Sequence, residues 1–355
     1  MPTVPQGGKV LVSGANGYIA MWTVKILLER GYRVRGIVRS ADKGKFMSDY
    51  FAKLGYAEAF EFAIVEDIVK EGAFDEVVKD VDAIEHMASP FHFNVSDPQG
   101  KSLKFFKPAI QGTVGILKSA VKNAARVKRI VITSSCASVL TPGLSVPKVF
   151  SENDWNEASP KEVEELGSKS PGASIYRASK TLAEKAAWEF YNQHKSQVHW
   201  DLAVINPPFV FGPAIHDVTS LKSLNTSLQS WYDVVVSDSP KTKEVLLQTI
   251  AWVDVRDTAL AHVLAIEKEA AGGERIITTS GSSIWQEWID AANSLNPNPL
   301  PSHKLAVGLP EISRGEKVYL ISYDKSKEER LLGIKFNTIV ETTKATLEDF
   351  ARRGW

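Results

Sequence analysis

The sequence predicts an α/β protein built on a doubly wound parallel sheet, with a smaller mixed α/β region at its C-terminal end. Three observations carry this. From residue 9, short apolar runs rich in β-branched residues alternate with amphipathic stretches, a glycine-rich turn follows the first run, and the alternation fades after Pro207-Pro208. Repeated βα units produce such alternation, and right-handed crossovers then distribute the helices over both sheet faces.

Strands are predicted at 9–13, 33–38, 60–65, 83–86, 128–134 and 202–205, and helices near 18–30, 72–80, 100–125 and 174–194. The polar stretch 151–174 reads as a long surface loop with a short helix before Tyr176, and long loops in compact domains are often functional. Past Pro208 the chain mixes a polar loop at 217–230, a helix near 255–268 and Pro-rich turns at 297–301. Residues 1–205 are therefore expected to form a dinucleotide-binding domain, with a return to it near 250–270. Residues 206–355 are expected to be mainly a substrate-binding domain.

The 355 residues are 44% hydrophobic and 24% charged, an ordinary globular balance. Lys plus Arg equals Asp plus Glu at 42 each, so no bulk field points to nucleic acid or an acidic membrane, and the expected partner is a small molecule. The single cysteine, Cys136, excludes an internal disulfide and a cysteine-based metal cluster. No metal is expected. No signal-peptide core precedes Lys9, and no run approaches the ~20 apolar residues of a membrane span, so a cytoplasmic protein is expected.

The run Gly14-Ala15-Asn16-Gly17-Tyr18-Ile19-Ala20 sits between the first strand and the first helix. Glycines there let the backbone turn sharply and approach a pyrophosphate, whose charge falls at the helix N-terminus. Ala20 replaces a third glycine where only close helix–strand packing is needed. This is the turn of a Rossmann-type cofactor domain. The second strand ends at Arg39, 25 residues past Gly14 (39 − 14), where an acidic residue reading a ribose is expected at ~20 for NAD. A guanidinium instead suits a 2′-phosphate, with Lys43 as a second cation, so NADPH/NADP is the predicted cofactor. Asp67-Ile68 would lie by the adenine, and Ala88-Ser89-Pro90 beside the phosphates and ribose. His86 reads as a core histidine and receives no catalytic role.

Tyr176 and Lys180 stand four apart, so they share one helix face. A phenol titrates near pH ~10, and an ammonium one turn away would lower it. The chain repeats the spacing at Tyr191 and Lys195, so spacing alone does not choose between the copies. Position does. Ligands of open parallel sheets sit beyond the strand C-termini, where the fifth strand ends at Thr133-Ser134-Ser135 and where the Tyr176 helix begins. Tyr191 lies 15 residues further on (191 − 176), ~22 Å along the helix at ~1.5 Å per residue.

Gly14-x-x-Gly17, Thr133-Ser134-Ser135, Tyr176-x-x-x-Lys180 and the run Asn206-Pro207-Pro208-Phe209-Val210-Phe211-Gly212-Pro213 together resemble an extended short-chain dehydrogenase/reductase over about residues 8–265. With Arg39, the run Ser89-Pro90-Phe91-His92-Phe93 resembles the fungal NADPH-dependent aldehyde and carbonyl reductases of the methylglyoxal and dihydroflavonol-reductase-like kind. The resemblance implies reduction of aldehydes and ketones, with Ser135 and Tyr176 polarising the carbonyl, Tyr176 giving the proton, and Lys180 also binding the nicotinamide ribose. It favours Ser135 over Ser134. Pro207 and Val210 would wrap the nicotinamide. Phe91, Phe93, Ser135 and Phe209 would meet the substrate. An asparagine that many short-chain reductases carry three residues before Gly112 is replaced by Ala109. Monomer or homodimer is expected. Two rival readings remain: a nucleotide-sugar epimerase or dehydratase that recycles its cofactor, which Arg39 argues against, and a non-catalytic NADP-sensing scaffold, which has no need for Tyr176 and Lys180.

Overall fold

The computed structural model describes residues 3–89, 103–315 and 317–355. In chain order, β1 (Lys9–Ser13), α1 (Tyr18–Glu29), β2 (Arg33–Val38), α2 (Ala41–Lys53), β3 (Phe60–Ile64), β4 (Ala83–His86), α3 (Leu103–Asn123) and β5 (Arg129–Thr133) build one side. Then come β6 (Lys148–Phe150), α4 (Ala158–Leu166), α5 (Gly172–His194), β7 (Asp201–Asn206), β8 (Phe209–Phe211), α6 (Thr226–Val235), α7 (Lys243–Leu247) and β9 (Thr249–Asp254). The chain ends with α8 (Val255–Glu267), β10 (Arg275–Ile277), β11 (Gly281–Ile284), α9 (Trp285–Asn293), α10 (Glu311–Arg314), β12 (Ile321–Tyr323), α11 (Ser326–Leu331) and α12 (Ile339–Arg352).

Seven strands form one parallel sheet in the order β10-β7-β5-β4-β1-β2-β3. Successive side chains of a strand point to opposite faces. In β1, Val10 and Val12 therefore join the core under α1 and α8, while Leu11 joins the opposite core with Ile116 and Leu117 of α3 and Ala187 of α5. Burial on both faces explains why central strands such as β5 and β7 read as near-continuous apolar runs. The order reverses between β1 and β4, which opens the crevice where doubly wound sheets bind ligands.

A three-stranded sheet, β11-β9-β8, covers one end of this crevice, with β9 antiparallel to β11 and parallel to β8. Behind it an aromatic core gathers Phe211, Trp231, Trp252, Trp288 and Phe350. Trp252 meets Trp288 edge-on with ring centres 4.7 Å apart, a preferred aromatic geometry. Asp254 caps α8 by accepting the Arg256 N–H at 2.8 Å, and also accepts the Thr342 hydroxyl at 2.8 Å. Among the described residues, no helix is long and apolar enough to cross a membrane.

Three local expectations are corrected, at 72–80, 41–53 and 217–230. Residues 72–80 form successive turns rather than a helix, because Gly72 and Asp80 both adopt left-handed backbone angles. Residues 41–53, which we had not read as helical, form α2, burying Met47 and Phe51. The stretch 151–174 carries the expected short helix as α4 and lies largely at the surface, while Asn156 within it is buried, donating from Nδ2 to Ala137 O at 2.9 Å and from its backbone to Ser138 O at 2.8 Å. Within 217–230 the polar run starts α6.

Candidate active site

Gly14 has φ +61°, and a Cβ there would lie 2.9 Å from Ala88 Cα, so only glycine fits. Gly17 donates its N–H to Gly14 O at 2.9 Å and stands at the N-cap of α1 without a side-chain cap. The uncapped first turn of α1 faces a cleft of about 230 Å³ that Gly14, Gly17, Tyr18 and Ile19 border. Free N–H donors on a glycine cradle fit a dinucleotide pyrophosphate. Tyr18 takes part through its backbone, since its hydroxyl donates to Gly212 O at 2.8 Å. Asn16 lies within the same turn, partly buried.

Across the cleft stand Thr133, Ser135, Tyr176, Lys180, Pro207 and Val210. The two neighbouring serines separate by their partners. Ser134 Oγ donates to Glu184 Oε2 at 2.5 Å, whereas Ser135 Oγ accepts the Ala137 N–H at 3.1 Å, reaches Pro207 O at 3.3 Å and is hydrogen-bonded to the Tyr176 hydroxyl. Lys180 Nζ donates to Thr133 O at 3.5 Å. Burial lowers the Lys180 amine to about 8, opposed by the Glu184 carboxylate one turn along α5.

The Tyr176 phenol departs from expectation. Burial pushes it above its ordinary value, and the opposing influence comes from Ser135 rather than from Lys180. The reason is desolvation, which penalises a phenolate more than the site's hydrogen bond helps it.

Glu184, which we had not singled out, organises this region. Its buried carboxylate accepts from Ser134 Oγ and Ser138 Oγ at 2.5 Å each, from Asn206 Nδ2 at 2.9 Å and from Arg275 Nε at 2.5 Å. Arg275 also donates to Glu152 O at 2.6 Å, and its guanidinium lies 3.6 Å from the Trp155 ring centre. The i, i+4 spacing from Lys180 was the available signal. Asn225 and Ser227, at the start of α6, border the cleft as well. Their one signal was an Asn-Thr-Ser run before apolar residues, which reads as a helix cap and not as a site.

The remaining predicted positions divide. Arg39 is exposed just beyond the C-terminal end of β2. Lys43 donates to Asp217 Oδ2 at 2.8 Å in a partly exposed ion pair. Asp67 is exposed past β3 and accepts the Val69 N–H at 2.8 Å, while Ile68 packs beneath Gly112. Ala88 and Ser89 border a small cavity beside Lys180. Pro90, Phe91 and Phe93 lie outside the described residues. Phe209 does not border the cleft: it is 42% exposed and stacks on Phe211, because the pleat of β8 turns Val210 inward instead. Cys136 is buried, and burial raises its thiol far above the usual range. Tyr191 belongs to the core between α5 and the sheet, stacked on Trp200 with ring centres 5.6 Å apart.

Residues 10–278 match the NAD dependent epimerase/dehydratase family. A ketoreductase of Aspergillus niger, azaE, is 36% identical over 342 residues, covering 93% of this chain and 94% of that protein. The NADPH-dependent methylglyoxal reductase GRE2 of Saccharomyces cerevisiae is 35% identical over 345 residues, covering 95% and 96%. The crystal structure of yeast methylglyoxal/isovaleraldehyde reductase Gre2 complexed with NADPH superposes with a TM-score of 0.83 at 33% identity, covering 98% of this chain and 99% of that one. A family match spanning most of the chain, near-full-length relatives and a glycine turn facing a Ser-Tyr-Lys set together show that the chain belongs to the NAD dependent epimerase/dehydratase family.

Proposed function

We propose that the chain is an NADPH-dependent carbonyl reductase that converts aldehydes and ketones to alcohols, with Ser135, Tyr176 and Lys180 as its catalytic residues. The observation that carries this reading is the meeting of Ser135, Tyr176 and Lys180 with the Gly14 turn in one cleft at the crevice of the sheet. The names of the fungal relatives support the substrate class, and Arg39 beyond the end of β2 supports NADPH over NADH.

NADPH, when bound, supplies the hydride that the carbonyl carbon accepts. The hydroxyls of Ser135 and Tyr176 donate hydrogen bonds to the carbonyl oxygen, drawing charge toward it. Because burial holds the Tyr176 phenol above its usual value, it stays protonated through the neutral range and is set to act as a general acid. Its proton passes to the alkoxide oxygen, and the Lys180 ammonium stabilises the phenolate left behind. A cytoplasmic location and a monomeric or homodimeric state belong to the same reading.

The test is stoichiometry. A reductase consumes one NADPH per alcohol formed from a small carbonyl panel, whereas an epimerase or dehydratase of this family leaves added NADPH untouched while converting its substrate. Absence of carbonyl-dependent NADPH oxidation across the panel would remove the proposal.

A further inference from the structure

Between β8 and α6 the chain runs as a strap, residues 212–225, past the N-terminal end of α1. Aromatic residues of α1 hold its near end: the Tyr18 hydroxyl donates to Gly212 O at 2.8 Å, Trp22 Nε1 donates to Pro213 O at 2.9 Å, and the Tyr18 and His216 ring centres lie 5.4 Å apart. The end of α12 holds it a second time. Asp349 Oδ2 accepts the Ala214 N–H at 3.0 Å, and Arg353, paired with Asp349 at 3.1 Å, donates from Nη1 to Val218 O at 3.0 Å. The residues on either side of Asp217 are thereby fixed.

Held in this way, Asp217 reaches the start of α2, where its Oδ2 accepts from Lys43 Nζ at 2.8 Å. Lys43 stands in the first turn of α2, four residues after Arg39, and the N-cap residue Ser40 makes no side-chain cap bond. That turn keeps N–H donors for an anion, and with two cations beside it the corner fits a 2′-phosphate. Asp217 sets a carboxylate against one of those cations. The pair is partly exposed, 42% at Lys43 and 29% at Asp217, and pairs in such surroundings are weak. A phosphate carries more charge and more acceptor oxygens than a carboxylate, so it can take the ammonium from Asp217.

We propose that Asp217 is a positioning residue that competes with the cofactor 2′-phosphate for Lys43: it holds the ammonium when the phosphate is absent and weakens the grip on the phosphate when it is present. The inference rests on the NADPH reading above, with Lys43 serving the 2′-phosphate. NADPH and NADP+ carry the same phosphate, so a competitor held in place by the strap limits the affinity for one and favours departure of the other. NADH lacks the phosphate and leaves the Lys43–Asp217 pair as it stands. Specificity for the phosphate is thus set by three residues, Arg39 and Lys43 for it and Asp217 against it.

The experiment is calorimetric titration of the full chain with NADPH and with NADH, for the wild type, Asp217→Asn, Asp217→Glu, Lys43→Met and the Lys43→Met/Asp217→Asn double variant. Asp217 is partly exposed, so its substitution leaves the core intact. Asp217→Asn should bind NADPH about threefold to fivefold more tightly than the wild type, the worth of an exposed ion pair. Its affinity for NADH should not change, and the gain for NADPH should shrink as salt is added. Asp217→Glu, which keeps the charge, should stay closer to the wild type than Asp217→Asn does. In the Lys43→Met background the Asp217→Asn gain should disappear, because the competition acts through Lys43. NADPH binding that is unchanged or weaker in Asp217→Asn overturns the competition, and so does an equal gain for NADH or an equal gain without Lys43. Lys43→Met separates the two levels. If Lys43→Met binds NADPH as the wild type does, the assignment of Lys43 to the 2′-phosphate falls and the competition with it, whereas weaker binding in Lys43→Met with no gain in Asp217→Asn removes the competition alone. Neither result requires turnover, so the carbonyl panel tests the reductase reading separately.

Discussion

Replacing Glu184 with glutamine tests the organisation of the site with two independent readouts. The carboxylate is fully buried and pairs with Arg275 Nε at 2.5 Å, so the neutral amide leaves a guanidinium without its counter-charge in a nearly closed environment. Breaking one side of a buried pair costs about 3–5 kcal/mol. Arg275 retains the Glu152 and Asp154 carbonyls and the Trp155 face, which argues for the lower end, about 3 kcal/mol by the same range. At about 2 °C per kcal/mol for a large domain, the melting temperature should fall by roughly 6 °C.

The second readout is pH. Glu184 opposes the burial that lowers Lys180 to about 8, so removing its charge lowers the amine further. If the ammonium is the working form, activity is lost as pH rises through that value. The alkaline limb of kcat/KM for NADPH, which reports the free enzyme, should therefore move to lower pH in Glu184→Gln. Thermal melts and a pH series between 6 and 10, about four units spanning the Lys180 value, measure both. A melting temperature within about a degree of wild type would refute the stability argument. An unmoved limb would refute the electrostatic one, even if the melting temperature fell.

Other outcomes follow from the same geometry. Arg39→Glu should raise KM for NADPH about thirtyfold, the equivalent of one charge-assisted hydrogen bond of about 2 kcal/mol, and should improve NADH relative to NADPH. An unchanged cofactor ratio would remove Arg39 from 2′-phosphate recognition. Tyr191→Phe keeps the ring that stacks on Trp200, so kcat should match the wild type, and a large loss of activity would mean the wrong Tyr-Lys copy had been chosen.

What could be read from the sequence was what nearby residues encode. The strands at 9–13, 33–38 and 83–86 match the structure at both ends because each is a short segment with an apolar centre, set off by the segments around it. Helix α2 escaped notice because Asp42, Lys43, Gly44 and Lys45 dominate its start, although Met47 and Phe51 mark its buried face. The reverse happened at 72–80, where Phe74, Val77, Val78 and Val81 are spaced as on a helix while the backbone at Gly72 and Asp80 breaks it.

The site divides along the same line. Tyr176 and Lys180 were legible because one helix turn relates them, and Ser135 because it ends a strand. The Glu184 cluster was not, since its partners Ser134 and Arg275 lie 50 and 91 residues away along the chain. Likewise, the contact of His86 Nδ1 with Ser13 Oγ joins residues 73 apart, and the folded sheet brings two backbone donors to the same oxygen. At β8 the pleat, which composition does not reveal, turns Val210 toward the cleft and leaves Phe209 exposed beside it.

The most direct measurement is a single-turnover experiment in which NADPH-loaded Tyr176→Phe is mixed with a small aldehyde and NADPH absorbance is followed. The phenylalanine preserves ring packing and removes only the proton donor. The account predicts a rate lower by about 10²–10⁴, with NADPH affinity retained. A rate equal to that of the wild type would contradict it.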